Sequence, residues 1–145
     1  MELSVSHIGI CVADLDRSRR FYHEALGFEE QWSHRVGPEF GPLMEVDGVD
    51  LRSVMLSRDG VTIELLGFDA PGHSGSGRRR AMNELGFTHL SLKVDDVDEV
   101  ARAIERCGGA VVAETRTRLP LGGVELDFLY CTDPDGVRIE LMKLP

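Results

Sequence analysis

Among the residues of this 145-residue chain whose types bind metals or move protons, four stand out: His7, Glu64, His89 and Glu140. They recur in matched surroundings. Residues 5–16 read V-S-H-I-G-I-C-V-A-D-L-D, and residues 87–98 read F-T-H-L-S-L-K-V-D-D-V-D. Aligned, His7 meets His89, Val12 meets Val94, Asp14 meets Asp96 and Asp16 meets Asp98. Residues 57–66, S-R-D-G-V-T-I-E-L-L, match residues 133–142, D-P-D-G-V-R-I-E-L-M. Here Asp59, Gly60, Val61, Ile63, Glu64 and Leu65 equal Asp135, Gly136, Val137, Ile139, Glu140 and Leu141. Two matches in the same order mark an internal duplication. A pseudo-two-fold arrangement of the halves can gather two imidazoles and two carboxylates. That set suits a divalent transition metal: Zn, Ni, Co, Mn or Fe. A lone His or Glu on such a strand would read as ordinary solvent-facing sheet. Recurrence at matched positions favours the ligand reading.

The elements that must position these residues follow one plan in each half. Segment 4–12 alternates and is rich in β-branched residues, which predicts a strand. Asp14 or Asp16 then caps a helix, with Leu15, Ser18, Tyr22, Ala25 and Leu26 at helical spacing, and Gly27 ends it. Strands follow near 28–34, 50–57 and 60–67, the last two joined by Arg58-Asp59-Gly60. The second half opens with a strand over 87–94. Asp96 with Glu99 forms a capping-box-like start, and Val97, Val100, Ala101 and Ile104 form the buried stripe. Gly108-Gly109 stops that helix, and strands follow near 110–117, 124–131 and 136–142, with Pro134-Asp135-Gly136 as the last turn. The fold class is α+β: two tandem βαβββ modules in one domain, 1–145. Module one covers about 4–67, a linker about 68–86, and module two about 87–144.

Strand alternation separates two faces. Ile8, Ile10, Val12, Val61, Ile63, Leu65, Leu90, Leu92, Val94, Val137, Ile139 and Leu141 make an apolar face for the helices. The opposite face carries His7, Gly9, Cys11, Thr62, Glu64, Leu66, His89, Ser91, Lys93, Arg138, Glu140 and Met142. The joining stretch holds Pro71, Gly72, Gly75, Gly77 and Arg78-Arg79-Arg80. It reads as a solvated linker with a short helix at its end, in preference to a lid whose arginines meet an anionic substrate group.

Composition narrows the classes. A net charge of −9 argues against nucleic acid or an anionic membrane surface as the main partner. The apolar fraction of 42% suffices for a core, and no apolar run is long enough to span a membrane. The start, Met1-Glu2-Leu3-Ser4, does not resemble a secretory signal. Three cysteines, Cys11, Cys107 and Cys131, have no framework spacing; they read as partly buried small residues in a reducing cytoplasm.

In the segments 7–28, 61–66, 89–97 and 133–141 the chain resembles the vicinal oxygen chelate superfamily. That family includes glyoxalase I, methylmalonyl-CoA epimerase, extradiol dioxygenases, and fosfomycin- and bleomycin-resistance proteins. The resemblance covers Val5 to Met142. It implies paired modules forming a U-shaped, metal-centred cleft, often in a homodimer, and a small-molecule substrate with vicinal oxygens. It implies His7, Glu64, His89 and Glu140 as ligands of one divalent metal. A carboxylate at Glu64 places the chain nearer the glyoxalase and epimerase branches than the three-ligand dioxygenase and fosfomycin branches. The methylmalonyl-CoA epimerase branch has glutamine there, and its additional glutamate falls near Val46.

The implied activity is that of a metal-dependent lyase or isomerase. The metal would acidify the proton on the carbon next to a chelated carbonyl, and Glu140 or Glu64 would remove and return it. The alternatives are a metal-dependent dioxygenase and a non-catalytic small-molecule-binding protein. His23 and His34 read as helix-surface and strand-edge residues, and His73 as part of the linker. Trp32, Phe40, Met44, Phe128 and Met142 fit an apolar pocket or plain packing. Arg52, Arg116 and Arg138 read as surface arginines, with substrate anion binding as the alternative.

Overall fold

A computed structural model describes residues 1–145. The chain divides into two compact units: Met1–His23 with Gly27–Gly75, and Glu24–Leu26 with Ser76–Pro145. The elements run β1 (Ile8–Cys11), α1 (Leu15–Glu24), β2 (Glu29–Val36), a 3-10 turn (Pro38–Phe40), α2 (Gly41–Met44), β3 (Asp50–Arg58) and β4 (Val61–Ala70). Then come β5 (Leu90–Lys93), α3 (Val97–Arg106), β6 (Ala110–Leu121), β7 (Val124–Thr132) and β8 (Arg138–Lys143). Each unit has a four-stranded sheet, ordered β1-β4-β3-β2 and β5-β8-β7-β6. In each, the first strand pairs in parallel with the last and the other pairs are antiparallel. The α+β class and the repeated strand-helix-three-strand order follow the sequence pattern. No helix is long and apolar enough to cross a membrane.

Local chemistry explains the boundaries. Asp14, not Asp16, starts α1: its carboxylate accepts the Arg17 N–H at 2.9 Å, which holds its pKa below the ordinary value. Asp96 caps α3 by accepting the Glu99 N–H at 2.9 Å. Asp59 and Gly60 both take positive φ, the geometry of a tight two-residue hairpin turn between β3 and β4. Gly67 is a close approach: a Cβ there would stand 2.9 Å from the Leu15 side chain.

The predicted inner face holds where it matters most. Ile63, Leu65, Ile139 and Leu141 are buried, as are Val97, Ala101 and Ile104 on α3. Phe21, Tyr22 and Phe28 fill the first unit's core with edge-on ring contacts at 5.3 and 6.1 Å. Ile8 (38%) and Val61 (42%) lie at strand beginnings and are exposed, contrary to expectation. Of the cysteines, Cys131 is buried, Cys107 intermediate and Cys11 exposed. Burial pushes the Cys131 thiol up to about 11.

Three other features depart from the sequence reading. Residues 37–49 form the 3-10 turn and α2, and a small apolar cluster gathers there: Val36, Val49 and Leu51, with Met44, Val46, Leu66 and Phe68 against it. Met44 is therefore a packing residue. The helix expected at the end of the joining stretch is absent; residues 82–86 are turns and bends. A single turn stands in its place, the Glu84 N–H donating to the Ala81 carbonyl at 3.2 Å, and the Arg80 guanidinium donates to the carbonyls of Glu84 and Leu85 at 3.3 and 2.7 Å. Nor is that stretch simply a solvated linker. Arg138, expected at the surface, is only 7% exposed and donates to the carbonyls of Arg80 (2.5 Å) and Thr88 (3.1 Å).

Asp133 organises the turn into β8. Buried itself, it accepts the N–H groups of Asp135 and Val137 on one oxygen, at 2.9 and 2.8 Å. Asp133→Ala is expected to lose about 2–4 kcal/mol of stability in urea unfolding, since two backbone donors lose their acceptor. Asp133→Asn keeps the acceptor oxygen and should lose markedly less; equal losses would show that the turn does not depend on this oxygen.

Candidate metal-binding pairs and their surroundings

Within each unit the parallel strand pair sets one histidine beside one glutamate. In the first, Gly9 pairs with Glu64, and His7 lies just ahead of β1. His7 Nε2 stands 3.1 Å from the Glu64 carboxylate. In the second, Ser91 pairs with Glu140, and His89 lies just ahead of β5. His89 Nε2 stands 3.5 Å from the Glu140 carboxylate. Glutamate and histidine are partly buried in both, so the pairs are sheltered but open to solvent.

A hydroxyl stands behind every one of these groups. Ser6 Oγ lies 3.0 Å from His7 Nδ1, and Thr88 Oγ1 lies 2.9 Å from His89 Nδ1. Ser53 Oγ donates to Glu64 at 2.5 Å, and Ser91 Oγ donates to Glu140 at 2.7 Å. A hydroxyl can donate to Nδ1 while Nε2–H faces the carboxylate. It can equally accept Nδ1–H, which leaves the Nε2 lone pair for a cation. Oriented imidazole, oriented carboxylate and hydroxyl supports are what transition-metal ligands require, so the donor chemistry fits. No group of three or more His, Cys, Asp or Glu side chains that could hold a metal ion is present in the structure; what it brings together is one His–Glu pair in each unit.

Sequence reasoning placed Ser91 on this face without giving it a role, and missed Ser6, Thr88, Ser53 and Tyr130. The hydroxyl one residue before each histidine is visible in the repeat as Ser6 and Thr88. Ser53 sits on β3, whose register cannot be read from the repeat.

The pairs differ in their neighbours. Tyr130 lies directly across from Glu140, whereas Met55 lies across from Glu64. The Tyr130 ring packs 5.7 Å from the His89 ring, and the Arg138 guanidinium lies 5.4 Å over it. Burial pushes the Tyr130 phenol up from its ordinary value; the charge of Glu140 and a side-chain hydrogen bond to it act the same way, against Arg138.

The arginines weighed for substrate binding are engaged elsewhere. Arg52 bonds Asp69 at 3.1–3.3 Å and lies 3.6 Å from Asp16. Arg116 bonds Asp127 and, at 2.8 Å, Asp98, which raises the arginine's pKa and lowers that of Asp98. Arg138 is committed to backbone carbonyls. His23 Nδ1 meets the Phe28 carbonyl at 3.0 Å, at the end of α1.

Comparison with known proteins bears on this geometry. A family model described as the Glyoxalase/Bleomycin resistance protein/Dioxygenase superfamily matches residues 4–141. The chain belongs to this superfamily. Among relatives of the superfamily member, "2-epi-5-epi-valiolone epimerase" of Actinomyces sp is 28% identical over 151 residues, covering 99% of this chain and 80% of the relative. "Lactoylglutathione lyase" of Haemophilus influenzae is 26% identical over 144 residues, covering 97% and 93%. "Glyoxylase I 4" of Arabidopsis thaliana is 25% identical over 138 residues, covering 95% and 69%. A glyoxalase family protein of Bacillus cereus shares the fold, with a TM-score of 0.82 at 22% identity, covering 99% of this chain and 95% of that one.

Tyr130 offers a direct check on the second pair. Ultraviolet titration should place its phenol above the ordinary 10.0, with Tyr130→Phe identifying the step. Glu140→Gln should lower the value part of the way, because burial remains. The native phenol holds its proton more tightly than the unfolded one. Its stabilising contribution is therefore complete below the unfolded pKa and is lost as the pH rises through the native value. An unchanged titration in Glu140→Gln would remove the coupling.

Proposed function

We propose that this superfamily member is a divalent-metal-dependent lyase or isomerase, glyoxalase I-like or epimerase-like. Its substrate is a small molecule carrying vicinal oxygens, and its assembly is a homodimer. The observation that carries the reading is the duplicated His–Glu pair, with a hydroxyl behind each imidazole and each carboxylate. The names of the relatives, a lyase and an epimerase among them, support the same reaction class. His7, Glu64, His89 and Glu140 are the proposed ligands of one Ni, Zn, Co, Mn or Fe ion. Bound there, such an ion supplies Lewis-acid polarisation of a substrate carbonyl and charge stabilisation at its oxygen.

The chain's own residues handle the proton. Glu140 or Glu64 takes it from the carbon next to the carbonyl and returns it. Return to the neighbouring carbon gives isomerisation, and return to the opposite face gives epimerisation. A base so placed contributes about 10²–10⁴-fold. Ser53 and Ser91 each bond one glutamate and fix its orientation. Ser6 and Thr88 hold the imidazoles and adjust to either tautomer.

Metal analysis by mass spectrometry tests the reading. The wild type should carry about one divalent transition metal per chain, and Glu64→Ala and Glu140→Ala should carry less. Ser53→Ala should weaken metal affinity by about 10-fold or more, as losing a supporting hydrogen bond does elsewhere. Metal-dependent exchange of a substrate α-proton in heavy water should follow. A wild type that takes up none of the five metals would overturn the enzyme reading in favour of a binding protein.

A further inference from the structure

Trp32 is the chain's sole tryptophan and is 53% exposed. It lies on β2, the edge strand of the first sheet. Register carries it directly to the candidate pair: Trp32 pairs with Met55, and Met55 pairs with Glu64. Residues paired in this way project from the same face, so Trp32 and Glu64 share one. The row beside it runs from His34 through Ser53 to Leu66, and Ser53 is the residue that bonds Glu64. The Trp32 and His34 rings stack at 4.8 Å with a tilt of 33°. The two rings thus form one aromatic shelf, two strand spacings from Glu64, or about 10 Å.

The fold does not demand an aromatic residue there. In the second unit the residue paired with Tyr130, which itself pairs with Glu140, is Val112, which is small and buried. A large indole kept half in water costs hydrophobic stabilisation that burial would have supplied. On a face with Ser53, His34 and Glu64 it has the make-up of a ligand site: an apolar surface with a few placed polar groups.

We infer that Trp32 and His34 form the platform for a flat, unsaturated portion of the substrate, an aryl group in the simplest case, joined by a short linker to its vicinal oxygens. This inference rests on the proposed function and names the substrate class. Ring stacking is the recognising interaction, with the indole as the main surface and the imidazole as its extension.

Because Trp32 is the sole tryptophan, its emission reports on this shelf alone. The test titrates metal-loaded protein with 2-hydroxy-4-phenylbutanoate and with 2-hydroxypentanoate, α-hydroxy acids that differ only in phenyl against methyl at the end of a two-carbon linker. The phenyl compound is expected to change Trp32 emission and to bind about three- to tenfold more tightly than the methyl one. Trp32→Ala, followed by calorimetry, should abolish that preference while leaving metal content unchanged. Trp32→Phe should restore part of it. Equal affinities in the wild type, or a preference that survives Trp32→Ala, would overturn the inference. So would sedimentation showing that Trp32→Ala dissociates an assembly, because a second copy of the chain would then cover the indole. Absence of bound metal in the wild type would sink the proposed function instead; the phenyl-over-methyl preference of metal-free protein, with and without Trp32, would then decide the shelf separately.

Discussion

The parallel pairing of a short strand with a long one is the constraint on which the candidate chemistry depends. β1 and β5 have four residues each, and each reaches only the last strand of its own sheet. In register, Gly9 meets Glu64 and Ser91 meets Glu140. The histidine just before each short strand thereby meets the glutamate inside the long one. A slip of one residue would turn the glutamate into the apolar face and Ile63 or Ile139 out of it. Burial of those isoleucines therefore holds the histidine–glutamate geometry as firmly as any contact between the polar groups.

Much of this was legible in the sequence. The repeat exposed both pairs, because the duplicated blocks keep residue type and spacing together. The caps at Asp96 and at the Asp59-Gly60 turn were legible because their chemistry is local. Ser53 was not, because its bond to Glu64 depends on the β3–β4 register, a long-range property no spacing rule encodes. Tyr130 was hidden for the same reason. Arg138 was misread because arginine is ordinarily a surface residue. Its burial depends on two carbonyls, of Arg80 and Thr88, far from it in sequence. The helix expected before residue 87 is replaced by a single turn closed from Glu84 N–H to the Ala81 carbonyl, with the Arg80 guanidinium bonded to the carbonyls that follow.

The polar supports differ in kind across the molecule. Around the histidine–glutamate pairs the supports are neutral hydroxyls, which orient without fixing a protonation state. On the other side of the second sheet, Arg116 locks Asp98 and Asp127 in a charged cluster. The first arrangement leaves the ionisable groups able to change partners, and the second consumes them in holding α3 to the sheet. The two clusters thus differ in how far their ionisable groups are tied to one another by charge.

Glu64 and Glu140 hold matched positions of the repeat, yet Met55 faces the first and Tyr130, with Arg138 above it, faces the second. A protein assembled from two copies of one half would present two equivalent carboxylates. In this chain the two differ: one glutamate has a neutral, polarisable neighbour, and the other has a phenol and a cation. The two matched carboxylates therefore stand in unequal fields, and a proton or a cation meeting both pairs would not meet two equal partners.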